Sequence, residues 1–439
     1  MPAGHKVQAW REVPARPGSN VNPFSRQDGE LLADNVRLSE IANSVGTPVY
    51  VYSRSYFEAR YRALQAALAP LDARICYAVK ANSNLSVLRC FQALGAGFDI
   101  VSGGELQRVM AAGGSPETVV FSGVGKSEAE IDFALKLNIG CFNVESRQEL
   151  DRLSQRASLL GRVAPVSVRV NPNVDAGTHP YISTGLKTNK FGVPVPEAET
   201  MYQRASADPA LEVVGIDCHI GSQIASAEPL LEALDSLLEL VDRLNAQGIS
   251  LRHVDLGGGL GVRYKDEPDF DLETYSVALK KKLTGSALQL VLEPGRYLVA
   301  NGGVLLTRVE YLKPAADDGR SFAIVDAAMN DLIRPALYQA WHGIEPVNPP
   351  AEHSRRDNWD IVGPVCESGD FLAHDREMAL APGDLLAVLS AGAYGMVQSS
   401  NYNTRPRPAE VMVENGRFRL IRRRENSREL LALERDLDG

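Results

Sequence analysis

Residues 73–104 read ARICYAVKANSNLSVLRCFQALGAGFDIVSGG, which is an apolar run, an amphipathic segment and a second apolar run in succession. Apolar runs of strand length between helical segments are typical of parallel strands whose two faces are both covered by helices. The alternation continues to residue 293 and supplies eight strand candidates. This number and length favour a (β/α)8 barrel of the TIM type, and a doubly wound open sheet is the competing α/β fold.

Polar and glycine residues follow the predicted strands at their C-terminal ends. A barrel brings all of these ends to one mouth, where active sites form. The residues are Lys80, Ser102–Gly104, Ser122, Gly123, Glu145, Arg169, Asn171, His219, Gly221, Ser222, Gly257–Gly259 and Glu293–Arg296. We therefore predict that the functional site lies at this mouth.

The pattern changes after Gly303, where shorter strands with turns follow, including the hairpin signal Glu414-Asn415-Gly416. We predict three segments. Residues 1–47 form an N-terminal extension that supplies an edge strand to the second domain, followed by a short helix. Residues 48–303 form the barrel, and residues 304–439 form the second, mainly β domain.

The composition excludes several classes of protein. The 439 residues are 44% hydrophobic and 23% charged, with a net charge of −9, which argues against nucleic acid or an anionic membrane surface as partner. No apolar run approaches the ~20 residues of a membrane span. Five cysteines without a C-x-x-C pair indicate a reducing compartment, hence the cytoplasm, and no structural zinc. In residues 1–27 a transit peptide is conceivable, but the prolines favour a poorly ordered extension.

Lys80 ends the first predicted barrel strand. Desolvation lowers the pKa of a lysine, and a neutral amine can form a Schiff base, although Lys80 alone could equally be a snorkelling strand-end lysine. The glycine-rich segments Gly257–Gly261 and Glu293–Arg296 follow strands seven and eight, where barrels often bind phosphate. A Schiff-base lysine and a phosphate site together predict pyridoxal 5′-phosphate (PLP) as cofactor.

Glu293 indicates which PLP chemistry the site supports. A carboxylate beside the pyridine nitrogen keeps the nitrogen protonated and makes the ring a strong electron sink, which suits loss of CO₂. Alternatively, Glu293 has no role in the chemistry and only caps the turn at Pro294-Gly295. His219 could stack on the ring or be a core histidine. Ser222 could donate to the phosphate or cap the following helix.

Eight motifs resemble, in order, those of the diaminopimelate decarboxylases, which are PLP enzymes with an alanine-racemase-like barrel. They are YAVKAN, SGGEL, HIGSQ, GGGLG, EPGR, MNDLIRPALY, CESGD and SAGAYG. The resemblance implies that Lys80 carries PLP, that His219 stacks on its ring and that Glu293 pairs with its nitrogen. The residues that it implies around the phosphate and the substrate are Ser222, Gly258, Gly295 and Arg296.

The resemblance also implies a substrate site and a proton donor. The implied substrate contacts are Arg296, Arg334, Tyr338, Glu367 and Tyr394, and Tyr394 also lies near the cofactor. Cys366 is implied as the proton donor after CO₂ leaves. In this family Cys366 and Glu367 reach the partner subunit's site, so the resemblance implies an obligate head-to-tail homodimer with shared active sites.

The implied reaction is decarboxylation of meso-2,6-diaminoheptanedioate (diaminopimelate) to L-lysine and CO₂, the last step of lysine biosynthesis, with no metal. Decarboxylases of ornithine, arginine or carboxynorspermidine are the nearest alternatives, but ornithine and arginine lack a distal carboxylate for Arg334. Alanine racemase and a non-catalytic PLP-binding protein are more distant alternatives. Asp99 and Glu145 could orient other site residues, and we assign no role to Lys187 or Lys190.

Overall fold

The structure is a computed structural model, and it describes residues 22–175, 189–316, 319–352 and 354–435. Residues 1–21 of the expected N-terminal extension and the segment that contains Lys187 lie outside these ranges. Within them, the chain forms a closed parallel barrel, a large mixed sheet and a small N-terminal sheet. No helix in the described ranges combines the length and the apolar character that a bilayer crossing requires.

The elements before the barrel are β1 (Phe24–Gln27), β2 (Glu30–Ala33), β3 (Val36–Arg37), α1 (Leu38–Val45), β4 (Val49–Ser53) and α2 (Arg54–Leu68). The next strands are β5 (Ala73–Ala78), β6 (Gly97–Ile100), β7 (Val119–Phe121), β8 (Cys141–Val144), β9 (Ala164–Asn171), β10 (Val193–Pro194), β11 (Leu211–Asp217), β12 (His253–Asp255) and β13 (Gln289–Leu292). All of these except the short β10 form the barrel, which closes through the parallel pairs β8–β9 and β13–β5. The predicted eight-stranded barrel is confirmed.

The helices around the barrel are α3 (Leu85–Ala93), α4 (Gly103–Ala111), α5 (Glu128–Leu137), α6 (Arg147–Leu160), α7 (Val195–Ser206), α8 (Glu228–Ala246), α9 (Leu272–Leu283) and α10 (Arg296–Val299). Serine caps begin three of them. The hydroxyls of Ser102, Ser127 and Ser146 each accept a hydrogen bond from the backbone N–H three residues later. These caps satisfy backbone donors that a helix start leaves unpaired. Each of the three helices therefore begins directly after its capping serine.

The second domain contains β14 (Gly303–Lys313), β15 (Ser321–Val325), α11 (Arg334–Tyr338), β16 (Ile344–Pro346), β17 (Arg355–Val362), β18 (Phe371–Leu380), β19 (Leu385–Val388), β20 (Ala409–Glu414), β21 (Arg417–Arg422) and α12 (Ser427–Leu431). It is mainly β, as predicted. β20 and β21 form the expected antiparallel hairpin, in which Asn415 and Gly416 have positive φ angles of 53° and 68°. Positive φ at both positions is the reason why an Asn-Gly pair suits this turn.

The N-terminal residues contribute to the second domain in a different way from our expectation. β1, β2 and β3 form a separate three-stranded sheet, and no strand of residues 29–47 joins the edge of the large sheet. The N-terminal strand of that sheet is β4, which lies in its interior between β14 and β20. All five side chains of β4 are buried, which is what an interior strand requires. β4 lies within residues 48–303, which we predicted as the barrel segment. The limits of the three predicted segments stay a prediction.

Candidate active site

A cavity of about 680 Å³ lies at the C-terminal ends of the barrel strands, between the barrel and the second domain. Eight of the predicted site residues line it, namely Lys80, His219, Ser222, Glu293, Arg296, Arg334, Tyr338 and Tyr394. Four others, Gly258, Gly295, Cys366 and Glu367, do not line it. The cavity is therefore at the mouth where we expected the site.

Lys80 follows β5 and forms an ion pair with Asp99, the third residue of β6. Its Nζ atom lies 2.5 Å from Oδ2 of Asp99, whose side chain is fully buried. Burial alone lowers the pKa of Lys80, but the negative charges of Asp99 and Glu293 outweigh this effect and raise the pKa above its ordinary value. The direction is opposite to our expectation, because we considered desolvation without the buried carboxylates.

Glu293 follows β13 directly and is only 5% exposed. Its Oε1 atom has no hydrogen-bond partner among the described residues. Burial, followed by the negative charges of Asp255 and Asp99, raises the pKa of Glu293 well above its ordinary value. A cationic group beside Oε1 would supply the missing partner and stabilise the ionised carboxylate.

Two further buried acids, Asp217 and Asp255, lie beside Glu293, with carboxylate oxygens of the three residues within 4.8 Å of one another. Burial raises the pKa of Asp255 to about 7, and burial with the charge of Asp255 raises that of Asp217. Our sequence analysis missed both acids, although each is the last residue of a barrel strand, at the edge where we expected the site. The spacing would also suit a metal ion, so our expectation of no metal stays a prediction.

His219 lies on the wall of the cavity and is held by the glycine-rich segment. The backbone N–H of Gly258 donates to Nδ1 of His219 at 3.1 Å. Burial, with the positive charges of Arg169 and Lys80, lowers the pKa of His219 well below its ordinary value, so the ring is neutral. A Cβ atom on Gly258 would lie 2.3 Å from the carbonyl oxygen of Glu293, which explains why glycine is required here.

Gly295 of the barrel and Tyr394 of the second domain both contact the segment that carries Lys80. A Cβ atom on Gly295 would lie 2.8 Å from Cβ of Ala81, so the turn after β13 packs closely against the segment that carries Lys80. The backbone N–H of Tyr394 donates to the carbonyl oxygen of Ala81 at 2.8 Å. Tyr338, also from the second domain, accepts a hydrogen bond from Gln398.

Arg296 and Arg334 are buried cations in the same cavity, with exposures of 7% and 6%. Arg296 donates to Oγ of Ser222 through Nη2 and Nε, at 3.1 and 3.3 Å. Neither guanidinium forms an ion pair with a carboxylate in the part of the chain that the structure describes. A buried charge needs a counter-charge, so these arginines suit anionic groups of a ligand.

Tyr264 and His342 contact these arginines, and our sequence analysis missed both. Nη1 of Arg296 donates to the hydroxyl oxygen of Tyr264 at 2.7 Å, and Nη1 of Arg334 lies 2.8 Å from Nε2 of His342. Tyr264 comes three residues after the GGGLG motif, which is a usable signal. His342 lies in an irregular segment of the second domain, and no sequence pattern points to it.

Cys366 and Glu367 lie on the surface of the chain, outside the cavity. The backbone N–H of Cys366 donates to Oδ1 of Asn403 at 2.9 Å, and the hydroxyl of Tyr402 donates to Glu367. A single chain therefore does not bring these two residues to the site that it forms from the other ones. Their predicted action in a partner subunit's site stays a prediction.

Glu145 has a structural role that extends the site. It accepts hydrogen bonds of 3.0 Å from Arg169 and from the backbone N–H groups of Gly123 and Gly192. Arg169 in turn donates to the carbonyl oxygen of His219 at 3.3 Å. Glu145 is thus linked through Arg169 to the backbone of His219, and its role in orienting other site residues stays a prediction. Lys190 lies 5.2 Å from the ring centroid of Phe191.

The cavity therefore offers three kinds of group at once. Lys80 supplies an amine, Glu293 supplies a buried carboxyl group with an unpartnered oxygen, and Arg296 with Ser222 supplies donors for an anion. PLP carries an aldehyde, a ring nitrogen and a phosphate, which need these three partners. The described residues fit the predicted cofactor.

Comparison with known proteins agrees with this fit. Residues 54–300 match the family model of the pyridoxal-dependent decarboxylase, pyridoxal binding domain. The chain is 60% identical over 412 residues to a diaminopimelate decarboxylase of Pseudomonas aeruginosa. The aligned region covers 94% of this chain and 98% of that protein. A diaminopimelate decarboxylase of Helicobacter pylori, solved with L-lysine, is 44% identical, with a TM-score of 0.86 over 90% of this chain and 98% of that chain. The chain belongs to the diaminopimelate decarboxylase family of pyridoxal-dependent decarboxylases.

Proposed function

We propose that the chain, with PLP, decarboxylates meso-2,6-diaminoheptanedioate to L-lysine and CO₂, the last step of lysine biosynthesis. The observation that carries the proposal is the pair Arg296 and Arg334, two buried guanidiniums that line the cavity of Lys80 and have no carboxylate partner in the described ranges. A substrate with a carboxylate at each end suits two such cations. Ornithine and arginine have no distal carboxylate and would leave one cation without a counter-charge. The relative from Pseudomonas aeruginosa bears the name of this activity.

The cofactor-binding roles that we propose follow from the positions of the side chains. When bound, PLP takes up the electron pair that CO₂ leaves behind. Lys80 holds the cofactor covalently, Glu293 keeps the ring nitrogen protonated, and the neutral ring of His219 packs against the face of the cofactor. The hydroxyl of Ser222 and the backbone of Gly258 and Gly295 bind the phosphate, and Arg296 contacts both the cofactor and a carboxylate of the substrate. The unpartnered Oε1 of Glu293 supports its role, since a protonated nitrogen would give it a hydrogen bond.

The substrate-binding roles concern the second domain. We propose that Arg334 binds the distal carboxylate and that Tyr338 and Tyr394 contact the bound substrate. Glu367 pairs with the distal ammonium group, and the thiol of Cys366 gives its proton to the carbon that has lost CO₂. Both residues lie outside the cavity of their own chain, which supports their action in the site of a second copy in a homodimer.

We also propose that the protein acts in the cytoplasm without a nucleic-acid partner. All five cysteines are free, and four of them are buried, which suits a reducing compartment. The net charge of −9 disfavours binding to a polyanion.

The experiment is a product analysis with the purified full chain and added PLP. Diaminopimelate should yield lysine and CO₂ in equal amounts, and ornithine and arginine should react at least about 100-fold more slowly, because each lacks the carboxylate for Arg334. If no lysine forms, the proposal fails. If ornithine or arginine reacts as fast as diaminopimelate, a decarboxylase of another basic amino acid is the better assignment.

A further inference from the structure

Tyr264 lies between the two buried guanidiniums of the cavity. Its hydroxyl oxygen accepts a hydrogen bond from Nη1 of Arg296 at 2.7 Å, and Cζ of Arg334 lies 4.7 Å from the centroid of its ring. Burial alone raises the pKa of Tyr264, but the positive charges of Arg296 and Arg334 outweigh burial and lower it. Because the oxygen accepts from Arg296, the hydroxyl proton remains available for donation within the cavity that Tyr264 lines.

His342 contacts Arg334 and does not itself line the cavity. Its side chain is fully buried, and Nε2 accepts from Nη1 of Arg334 at 2.8 Å. Nδ1 then carries the proton and donates to the carbonyl oxygen of Leu389, also at 2.8 Å. Burial, with the positive charge of Arg334, lowers the pKa of His342 to about 3, so the ring is neutral near pH 7.

The chemistry of these two partners decides how much charge the arginines retain. A carboxylate at either position would form an ion pair with a guanidinium and would compete with a bound anion. A phenol and a neutral imidazole hold Arg296 and Arg334 in position without cancelling their charges. The site therefore combines fixed geometry with two available positive charges.

We propose that Tyr264 and His342 determine the specificity of the site for a substrate with a distal carboxylate. Tyr264 donates its hydroxyl proton to that carboxylate beside Arg334, and His342 is a positioning residue that acts through Arg334. The inference rests on the proposed function, because it assigns to Arg334 the distal carboxylate of diaminopimelate.

The test uses two ligands that differ only by one carboxylate. L-Lysine retains the distal carboxylate of the substrate, and cadaverine is the same diamine without it. Titration of the PLP-loaded protein, followed by the absorbance of the cofactor, gives both dissociation constants. We expect the wild type to prefer L-lysine, and we expect Tyr264→Phe and His342→Leu to bind L-lysine about tenfold more weakly, as for one lost hydrogen bond to a charged group, with cadaverine binding unchanged.

Two further variants separate this role from a structural one. His342→Gln keeps an acceptor for Arg334 and should restore much of the L-lysine affinity. Tyr297→Phe is the matched control, because the Tyr297 ring also packs under an arginine, with Cζ of Arg60 at 3.8 Å, but does not line the cavity. Its two dissociation constants should equal those of the wild type.

The outcomes distinguish the inference from the proposed function. If Tyr264→Phe weakens both ligands equally, or neither, the inference is wrong. If the wild type binds L-lysine no more tightly than cadaverine, the assignment of Arg334 to the distal carboxylate is wrong instead. If His342→Leu does not fold, Tyr264→Phe and His342→Gln decide the inference, because both are small changes of shape.

Discussion

Nζ of Lys80 lies 2.5 Å from Oδ2 of Asp99, and the pairing of the first two barrel strands explains this contact. β5 and β6 run in parallel, with Ala78 opposite Asp99. The chain passes Ala78 and turns at Val79–Ala81, which brings Lys80 above the carboxylate. The register of two strands thus sets the charge state of the amine that we assign to the cofactor.

Asp99→Asn should change how the cofactor-free protein takes up PLP. Only a neutral amine attacks an aldehyde, and Asp99 raises the pKa of Lys80, so uptake should accelerate as the pH rises. Without the carboxylate, the pKa of Lys80 falls and the profile moves to lower pH. We expect uptake at about pH 8 to be at least tenfold faster, measured by the absorbance of bound cofactor.

The matched control for this measurement is Asp72→Asn, because Asp72 is a barrel acid outside the cavity. Its uptake profile should equal that of the wild type. A profile of Asp99→Asn that is unchanged, or that moves to higher pH, would show that Asp99 does not control the charge of Lys80.

Arg334→Ala should impair substrate binding and leave cofactor binding intact. The variant loses the cation that we assign to the distal carboxylate, a change that costs about 2–5 kcal/mol in buried charge pairs. We expect the KM for diaminopimelate to rise by about 100-fold or more, with PLP absorbance unchanged. Arg356→Ala, which removes an exposed arginine of β17, is the control. Equal kinetics of Arg334→Ala and the wild type would remove Arg334 from the site.

Lys80 and Glu293 could be found from sequence because each stands at the end of an apolar strand in a repeating pattern, and that pattern fixes where strand ends meet. Tyr264 and His342 could not be found in this way. Both lie in irregular segments, whose paths depend on packing between the two domains rather than on local periodicity. The raised pKa of Lys80 was missed for a related reason, because it depends on carboxylates from other strands.

Lys126→Met should destabilise the barrel strongly. The Lys126 side chain is 2% exposed, and its Nζ donates to Glu149 at 2.6 Å and to the carbonyl oxygens of Gly123 and Asn143 at 2.8 and 2.7 Å. Removing the lysine leaves the Glu149 carboxylate buried without its counter-charge, which costs about 3–5 kcal/mol. The midpoint of urea unfolding should fall accordingly.

The control is Lys136→Met on α5, because Lys136 is exposed and should contribute little. The double variant Lys126→Met, Glu149→Leu should be more stable than Lys126→Met alone, because it removes the unpaired charge. If Lys126→Met and Lys136→Met unfold at the same urea concentration, the buried pair does not stabilise the fold.

A mixed dimer of Lys80→Ala and Cys366→Ala chains should be active although each parent is impaired. In the proposed shared arrangement, one site of this dimer combines Lys80 of the second chain with Cys366 of the first, and the other site lacks both. Co-expression with two different tags allows the mixed dimer to be isolated, and it should have about half the wild-type activity because one of two symmetric sites is intact. If Cys366 instead served the site of its own chain, every site in the mixed dimer would lack one residue. The mixed dimer would then be no more active than its parents, since no chain carries both Lys80 and Cys366.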